Sequence, residues 1–147
     1  MARVVVFIDG SNLYHSLRNE VGRTDLDFEK FASKLLAGRD LGRIYYYNAP
    51  VDQQKEPQRY KEQQRFFYEM RRVPYLELKL GRLLYRSGWP QVPPYEKGVD
   101  VKMATDILVH SFRRTFEEMI LVSGDTDFVD ALQAVKDNGQ HVEVALF

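Results

Sequence analysis

Val4-Val5-Val6-Phe7-Ile8-Asp9-Gly10-Ser11-Asn12 places five apolar residues directly before an acid and a glycine. Such a β-branched run without alternation reads as a strand buried on both faces. Asp9-Gly10 ends it, and Ser11-Asn12 is placed to cap a helix reaching about Asn19, with Leu13 and Leu17 on one face. The apolar runs 44–47 and 119–122 predict two more interior strands, and the segments 75–80 and 141–147 alternate as two others. Helical stripes fill the intervals: 28–36 closed by Gly38, 59–72 led by Pro57, 100–112, and 128–136 ended by Asn138-Gly139. Leu83-Leu84-Tyr85 is expected to fold back on the 75–80 strand as a hairpin arm, and 87–94, with three prolines and a glycine, as a loop. Strands separated by helices predict an α/β domain around a mainly parallel sheet. A length of 147 residues fits a single domain, 1–147.

Composition removes several function classes. Lys+Arg and Asp+Glu are both 21, so the chain is neither a polycation nor an acidic solvating tail, although local patches remain open. With no cysteine, disulfide frameworks, Cys-zinc sites, thiol catalysis and iron–sulfur clusters are excluded. The run from Val4 to Ile8 is too short for a signal peptide or a membrane span, which predicts a soluble, cytoplasmic protein without membrane contact. There is no phosphate loop of the G-x-x-x-x-G-K-S/T type, no G-x-G-x-x-G after the first strand, and no G-x-S-x-G nucleophile elbow. His15, His110 and His141 are too scattered in sequence to suggest a zinc site, and each reads as a satisfied or exposed histidine.

What remains is aspartate at strand ends. Asp9 follows the first strand, and Ser123-Gly124-Asp125-Thr126-Asp127 follows the 119–122 strand. Open parallel sheets bind ligands outside the carboxyl ends of their strands, where the strand order reverses. If those two strands are neighbours there, Asp9 and Asp125 face each other over the crevice. Asp100 and Asp106 come from the helix that leads into the second strand, but six residues place them about 120° apart around its axis. Both cannot aim at one ion, so Asp9 and Asp125 rank first, Asp100 and Asp127 next, and Asp106 last. Each residue also has an ordinary structural use. Asp-Gly is common turn chemistry, Thr126 or Asp125 can cap the following helix, Asp100 can complement a helix dipole, and Asp106 can pair with Lys102. Together they are harder to dismiss, because residues 100–130 hold seven acids against three Lys/Arg. Converging carboxylates bind a hard cation or hold a proton, and oxygen-only ligands point to Mg²⁺ or Mn²⁺, the ions of phosphoryl chemistry.

The opposite charge collects elsewhere. Residues 55–86 carry nine Lys/Arg against four Glu, and eleven of the nineteen aromatics lie between Tyr45 and Tyr95. Cations hold phosphates and aromatic faces stack unpaired bases. Tyr46, Tyr60 and Phe67 read equally well as core or sheet residues, whereas Arg82, Arg86 and Trp89 are expected at the surface.

Three blocks carry a family resemblance: Val6 to Asn12, Lys97-Gly98-Val99-Asp100-Val101-Lys102 with Asp106, and Ser123 to Phe128. In that order and spacing they resemble the NYN domain family, and most closely its LabA-like branch, relatives of the PIN-domain ribonucleases. The resemblance implies a PIN-like Rossmannoid three-layer sandwich with a five-stranded, mainly parallel sheet ordered 3-2-1-4-5. It also implies a divalent-metal ribonuclease site acting on RNA. Asp9, Asp100, Asp125 and Asp127 match its acidic positions, Asp106 is an additional acidic match, and Asn12 matches a polar residue that orients Asp9 or the scissile phosphate. Lys97, Arg82, Arg86, Ser11 and Ser123 are the corresponding candidates for substrate contact, with Lys97 able to hold Asp100 instead. A further helix is expected after the last strand, and the sequence stops at Phe147 without one; a bare edge strand there invites a homodimer. Two other readings stand beside the ribonuclease: a non-catalytic NYN module that binds RNA or protein, and a metal-dependent adhesion-type site, which Asp9-Gly10-Ser11-Asn12-Leu13 nearly satisfies except at Leu13.

Overall fold

The computed structural model describes residues 3–16 and 27–146. Residues 17–19 of the expected first helix, the His15 side chain and Phe147 lie outside the described residues. Strand β1 (Arg3–Asp9) is followed by helices α1 (Gly10–Ser16) and α2 (Phe28–Leu36), strand β2 (Asp40–Asn48), helix α3 (Pro57–Met70) and strand β3 (Leu76–Leu80). Then come two short strands, β4 (Arg82–Leu84) and β5 (Tyr95–Lys97), helix α4 (Val99–Phe112), strand β6 (Glu118–Val122), helix α5 (Val129–Asp137) and strand β7 (His141–Ala145).

The sheet runs β3-β2-β1-β6-β7, and all four pairings are parallel. Counted among the sheet strands alone, this is the order 3-2-1-4-5. Strand β1 is central, and alternation sends its side chains to two separate cores. Val4, Val6 and Ile8 pack with Leu13, Phe28, Phe66 and Phe67 from α1, α2 and α3. Val5 and Phe7 pack with Met103, Ile107 and Val135 from α4 and α5. The continuous apolar run is therefore the signature of a strand covered by helices on both sides. The result is three layers, helix, sheet and helix.

Strands β4 and β5 form a separate antiparallel ribbon, with Arg82 opposite Lys97, Leu83 opposite Glu96 and Leu84 opposite Tyr95. This corrects the expected hairpin with the 75–80 strand. Gly81 N–H donates to Asn48 O at 2.7 Å, prolonging the β2–β3 ladder by one rung, and Arg82–Leu84 then pairs with Tyr95–Lys97 instead of β3. Trp89 is also less exposed than expected. It packs edge-on against Tyr85 at 5.4 Å between ring centroids, with Lys55 Nζ 5.3 Å from its ring.

Helix α1 enters immediately after β1 because Asp9, rather than Ser11 or Asn12, caps it: Asn12 N–H donates to Asp9 Oδ1 at 3.3 Å. Gly10 lets this happen. A Cβ there would lie 2.3 Å from the Tyr46 ring and 2.4 Å from Tyr47 O. Tyr46 is fully buried and donates its hydroxyl to Gly10 O at 3.1 Å, so it cannot swing aside. Gly10→Ala should therefore cost about 2–3 kcal/mol by overpacking. Gly124→Ala, whose Cβ would meet nothing closer than Leu146 Cδ2 at 3.9 Å, should stay within about 0.5 kcal/mol of the parent. Equal urea midpoints for the two variants would refute this account of Gly10.

Candidate metal centre

The reversal in strand order falls between β1 and β6, and both strands end there. Ile8 pairs with Val122, so Asp9 and Ser123 emerge side by side. Ser123 is buried and donates its hydroxyl to Asp9 Oδ2 at 3.1 Å, while accepting from Asp125 N–H at 3.0 Å. One serine thus ties the two strand ends together. Asp125 in turn accepts from Asp127 N–H at 2.9 Å, capping the short 3₁₀ turn Thr126–Phe128 that leads into α5. Asp100 lies in the first turn of α4, whose start is set by Gly98 in the left-handed region at φ 78°.

Carboxylate oxygens of Asp9, Asp100 and Asp125 all lie within 4.8 Å of one another. Asp9 is only 8% exposed, whereas Asp100 is exposed and Asp125 half-buried. Burial raises the Asp9 carboxyl above its ordinary range, the bonds from Asn12 N–H and Ser123 oppose this, and the Asp125 charge adds to it. Asp100 is also raised, first by partial desolvation of its carboxyl among its neighbours and then by the charges of Asp9, Asp125 and Asp127. Among the described residues, no lysine, arginine or histidine pairs with any of the three. Three oxygen ligands with uncompensated charge fit a hard divalent cation of the Mg²⁺ or Mn²⁺ kind.

A fourth carboxylate, Glu96, was not legible as a site residue. It projects from β5 into the same cavity, of about 500 Å³, and its carboxylate lies in hydrogen-bonding contact with the Ser11 hydroxyl. Burial raises its pKa and the Ser11 bond lowers it; the charges of Asp9 and Asp100 raise it further. The nearest signal was its place in Glu96-Lys97-Gly98-Val99-Asp100, just before the block that supplies Asp100.

Other expected residues take different places. Asp106 does not join the cluster. It accepts the Tyr47 hydroxyl at 2.8 Å and lies 3.9 Å from Lys79 Nζ, under the sheet rather than at its end. The 120° rotation from Asp100 forces this, and Lys79 rather than Lys102 is its partner. Asp127 is exposed at the rim, close enough for its charge to raise Asp100. Ser123 is buried and braces the two strand ends, and Ser11 stands between Glu96 and Asn48 Oδ1, 2.9 Å from the latter. Asn12 contributes its backbone N–H to Asp9, and its side chain lines the cavity. Lys97, Arg82 and Arg86 are exposed; Lys97 makes no ion pair with Asp100, and Arg86 lies over the Tyr95 ring at 4.4 Å. Leu13, 2% exposed in the core, cannot supply the third ligand of an adhesion-type site.

A crystal structure of a protein of unknown function from Vibrio parahaemolyticus shares this fold, with a TM-score of 0.70 and 22% identity over 99% of this chain and 81% of that one. No curated protein matches the sequence. Among the described residues no helix is long and apolar enough to cross a membrane. The NYN domain profile matches residues 3–147, and the chain belongs to the NYN domain family, whose members are generally nucleases.

Proposed function

We propose that this chain is a divalent-metal-dependent ribonuclease of the LabA-like, PIN-related branch, cutting phosphodiester bonds in RNA with Mg²⁺ or Mn²⁺ held by Asp9, Asp100 and Asp125. The observation that carries the reading is the set of three carboxylates within 4.8 Å at the reversal of the sheet, with no cation paired to them among the described residues. A bound divalent ion supplies Lewis-acid stabilisation to the charge that develops on a transferring phosphoryl group. The chain's own work is to hold the ligands still. Ser123 and the Asn12 N–H fix both oxygens of Asp9, the Asp127 N–H fixes Asp125, and the start of α4 fixes Asp100. Asp127 and Glu96 flank the centre from the rim and from the ribbon. Arg82, Arg86 and Lys97 form the exposed cationic side on which flanking phosphates would rest.

Asp9→Asn and Asp125→Asn should each cut the cleavage rate by about 100-fold or more, equivalent to several kcal/mol of lost stabilisation. Asp106→Asn should stay within a few fold of wild type, since an amide oxygen still accepts from Tyr47. Cleavage of a labelled RNA panel in Mg²⁺ and in Mn²⁺ measures all three. Wild-type rates in both Asp9→Asn and Asp125→Asn would remove the assignment; a wild type that binds RNA and cuts none of it would leave a binding module.

Stability tests the metal without substrate. A cation that binds only the folded chain adds about 2.7 kcal/mol at 100 times its Kd, roughly 5–10 °C in Tm for this size. In chelator at neutral pH, Asp125→Asn should melt above wild type because it relieves Asp9 and Asp100 of a repelling charge, and Mn²⁺ should reverse that order. The sign with pH follows from the raised carboxyls of Asp9 and Asp100. Their stabilisation is complete below the unfolded value of 3.8 and is lost as pH rises through the folded values. The advantage of Asp125→Asn in chelator should therefore fade on acidification towards that value. A wild-type melting curve indifferent to millimolar Mg²⁺ and Mn²⁺ would count against the centre.

Arg82→Ala with Arg86→Ala should weaken RNA binding across sequences. It should also flatten the log–log salt dependence by about 1.4 if both touch phosphate of a single strand. An unchanged slope would exclude this side of the ribbon as the phosphate path.

A further inference from the structure

The cavity that contains the three aspartates is lined by apolar and neutral polar residues as well. Besides the acids it is lined by Tyr14, Ala49, Val51, Leu83, Pro93 and Pro94, and by two polar side chains of α3, Arg59 and Gln63. Gln63 is 3% exposed, and its Oε1 accepts from Val51 N–H at 2.8 Å. That bond fixes which end of the amide is the donor, and Gln63 Nε2 has no hydrogen-bond partner among the described residues. One turn earlier, Arg59 gives Nη1 to Glu56 at 2.9 Å, while its Nε is buried and has no partner. Two side chains that line a cavity of about 500 Å³, a size usual for small-molecule sites, thus each carry a donor without an acceptor among the described residues. Gln63 Nε2 is free to donate into the cavity, and a buried donor without a partner such as Arg59 Nε is costly, which together point to an acceptor that arrives with a ligand.

We propose that the cavity binds the base of one unpaired nucleotide next to the scissile phosphodiester. Acceptors on the base edge take Gln63 Nε2 and the Arg59 guanidinium, and the Leu83, Pro93 and Pro94 wall covers the base. Four carboxylates in the same cavity disfavour a second phosphate there and leave a neutral, flat, acceptor-bearing group as the matching chemistry. A base still paired in a duplex keeps its edge occupied and its faces stacked, so the substrate must be single-stranded or splayed at this position. The inference rests on the reading of the aspartates as a phosphodiester-cleaving centre.

Binding of short labelled single-stranded RNA, measured by anisotropy in chelator, separates the two ideas because no cleavage is needed. In the wild type, replacing the nucleotide at one position by an abasic ribose should weaken binding about tenfold, and the same sequence as a duplex should bind more weakly than the single strand. Gln63→Glu keeps the acceptor for Val51 N–H and removes the donor; Arg59→Lys keeps the charge and removes Nε. In both variants the abasic penalty should fall below about threefold. Melting curves identify any variant that fails to fold, and the abasic scan on the wild type stands without either variant. No position with an abasic penalty in the wild type, a penalty retained in both folded variants, or equal binding of duplex and single strand would overturn the subsite. A wild type with the penalty that never cuts RNA in Mg²⁺ or Mn²⁺ would support the subsite and refute the nuclease reading. One that cuts without the penalty would do the reverse.

Discussion

A carboxylate that is only 8% exposed sits at the end of the central strand, and much of the local architecture answers to it. A buried charge needs partners, and among the described residues Asp9 has two hydrogen bonds and no cation. One bond comes from the first turn of α1, which makes the acid a helix cap. The other comes from Ser123, which makes it the link between β1 and β6. A capping role and a ligand role are therefore compatible in one side chain, because each carboxylate oxygen has two lone pairs and the caps use only one. The same holds for Asp125, which caps the 3₁₀ turn with Oδ1. The mutual repulsion that remains is what a divalent cation would neutralise.

Period and composition make the sheet readable in the sequence. Five residues without alternation at Val4 to Ile8 meant helices on both faces, and two separate cores meet at that strand. The positions of Asp9 and Asp125 at strand ends followed from the same reading, since only the neighbour relation between β1 and β6 had to be supplied. The helical angle that separates Asp106 from Asp100 was legible too, because rotation around an axis needs no tertiary information, and Asp106 meets Tyr47 and Lys79 instead of the cluster. Glu96 and the ribbon were not legible. Three-residue strands carry too little pattern to reveal their partner, and Leu83-Leu84 reads equally well against β3 or against β5. The partner, Tyr95–Lys97, lies beyond the proline-rich loop, a pairing that local pattern cannot contain.

The ribbon also explains how a chain of zero formal net charge can have an acidic cavity beside a cationic exterior. In an antiparallel pair, residues directly opposite share a face and successive residues alternate. Leu83 and Glu96 are opposite each other and both line the cavity. Arg82 and Lys97, and then Leu84 and Tyr95, occupy the other face, where Arg86 stacks on the Tyr95 ring. The period of two places an acid inside and two bases outside within three residue pairs, so charge is separated by strand geometry rather than by sequence blocks. A one-residue slip of this ribbon would exchange the faces, burying Lys97 or Arg82 against the aspartates and exposing Glu96. The register is consequently a determinant of the site's electrostatics, and Ser11, which contacts Glu96 from the β1–α1 corner, ties that register to the strand on which Asp9 stands.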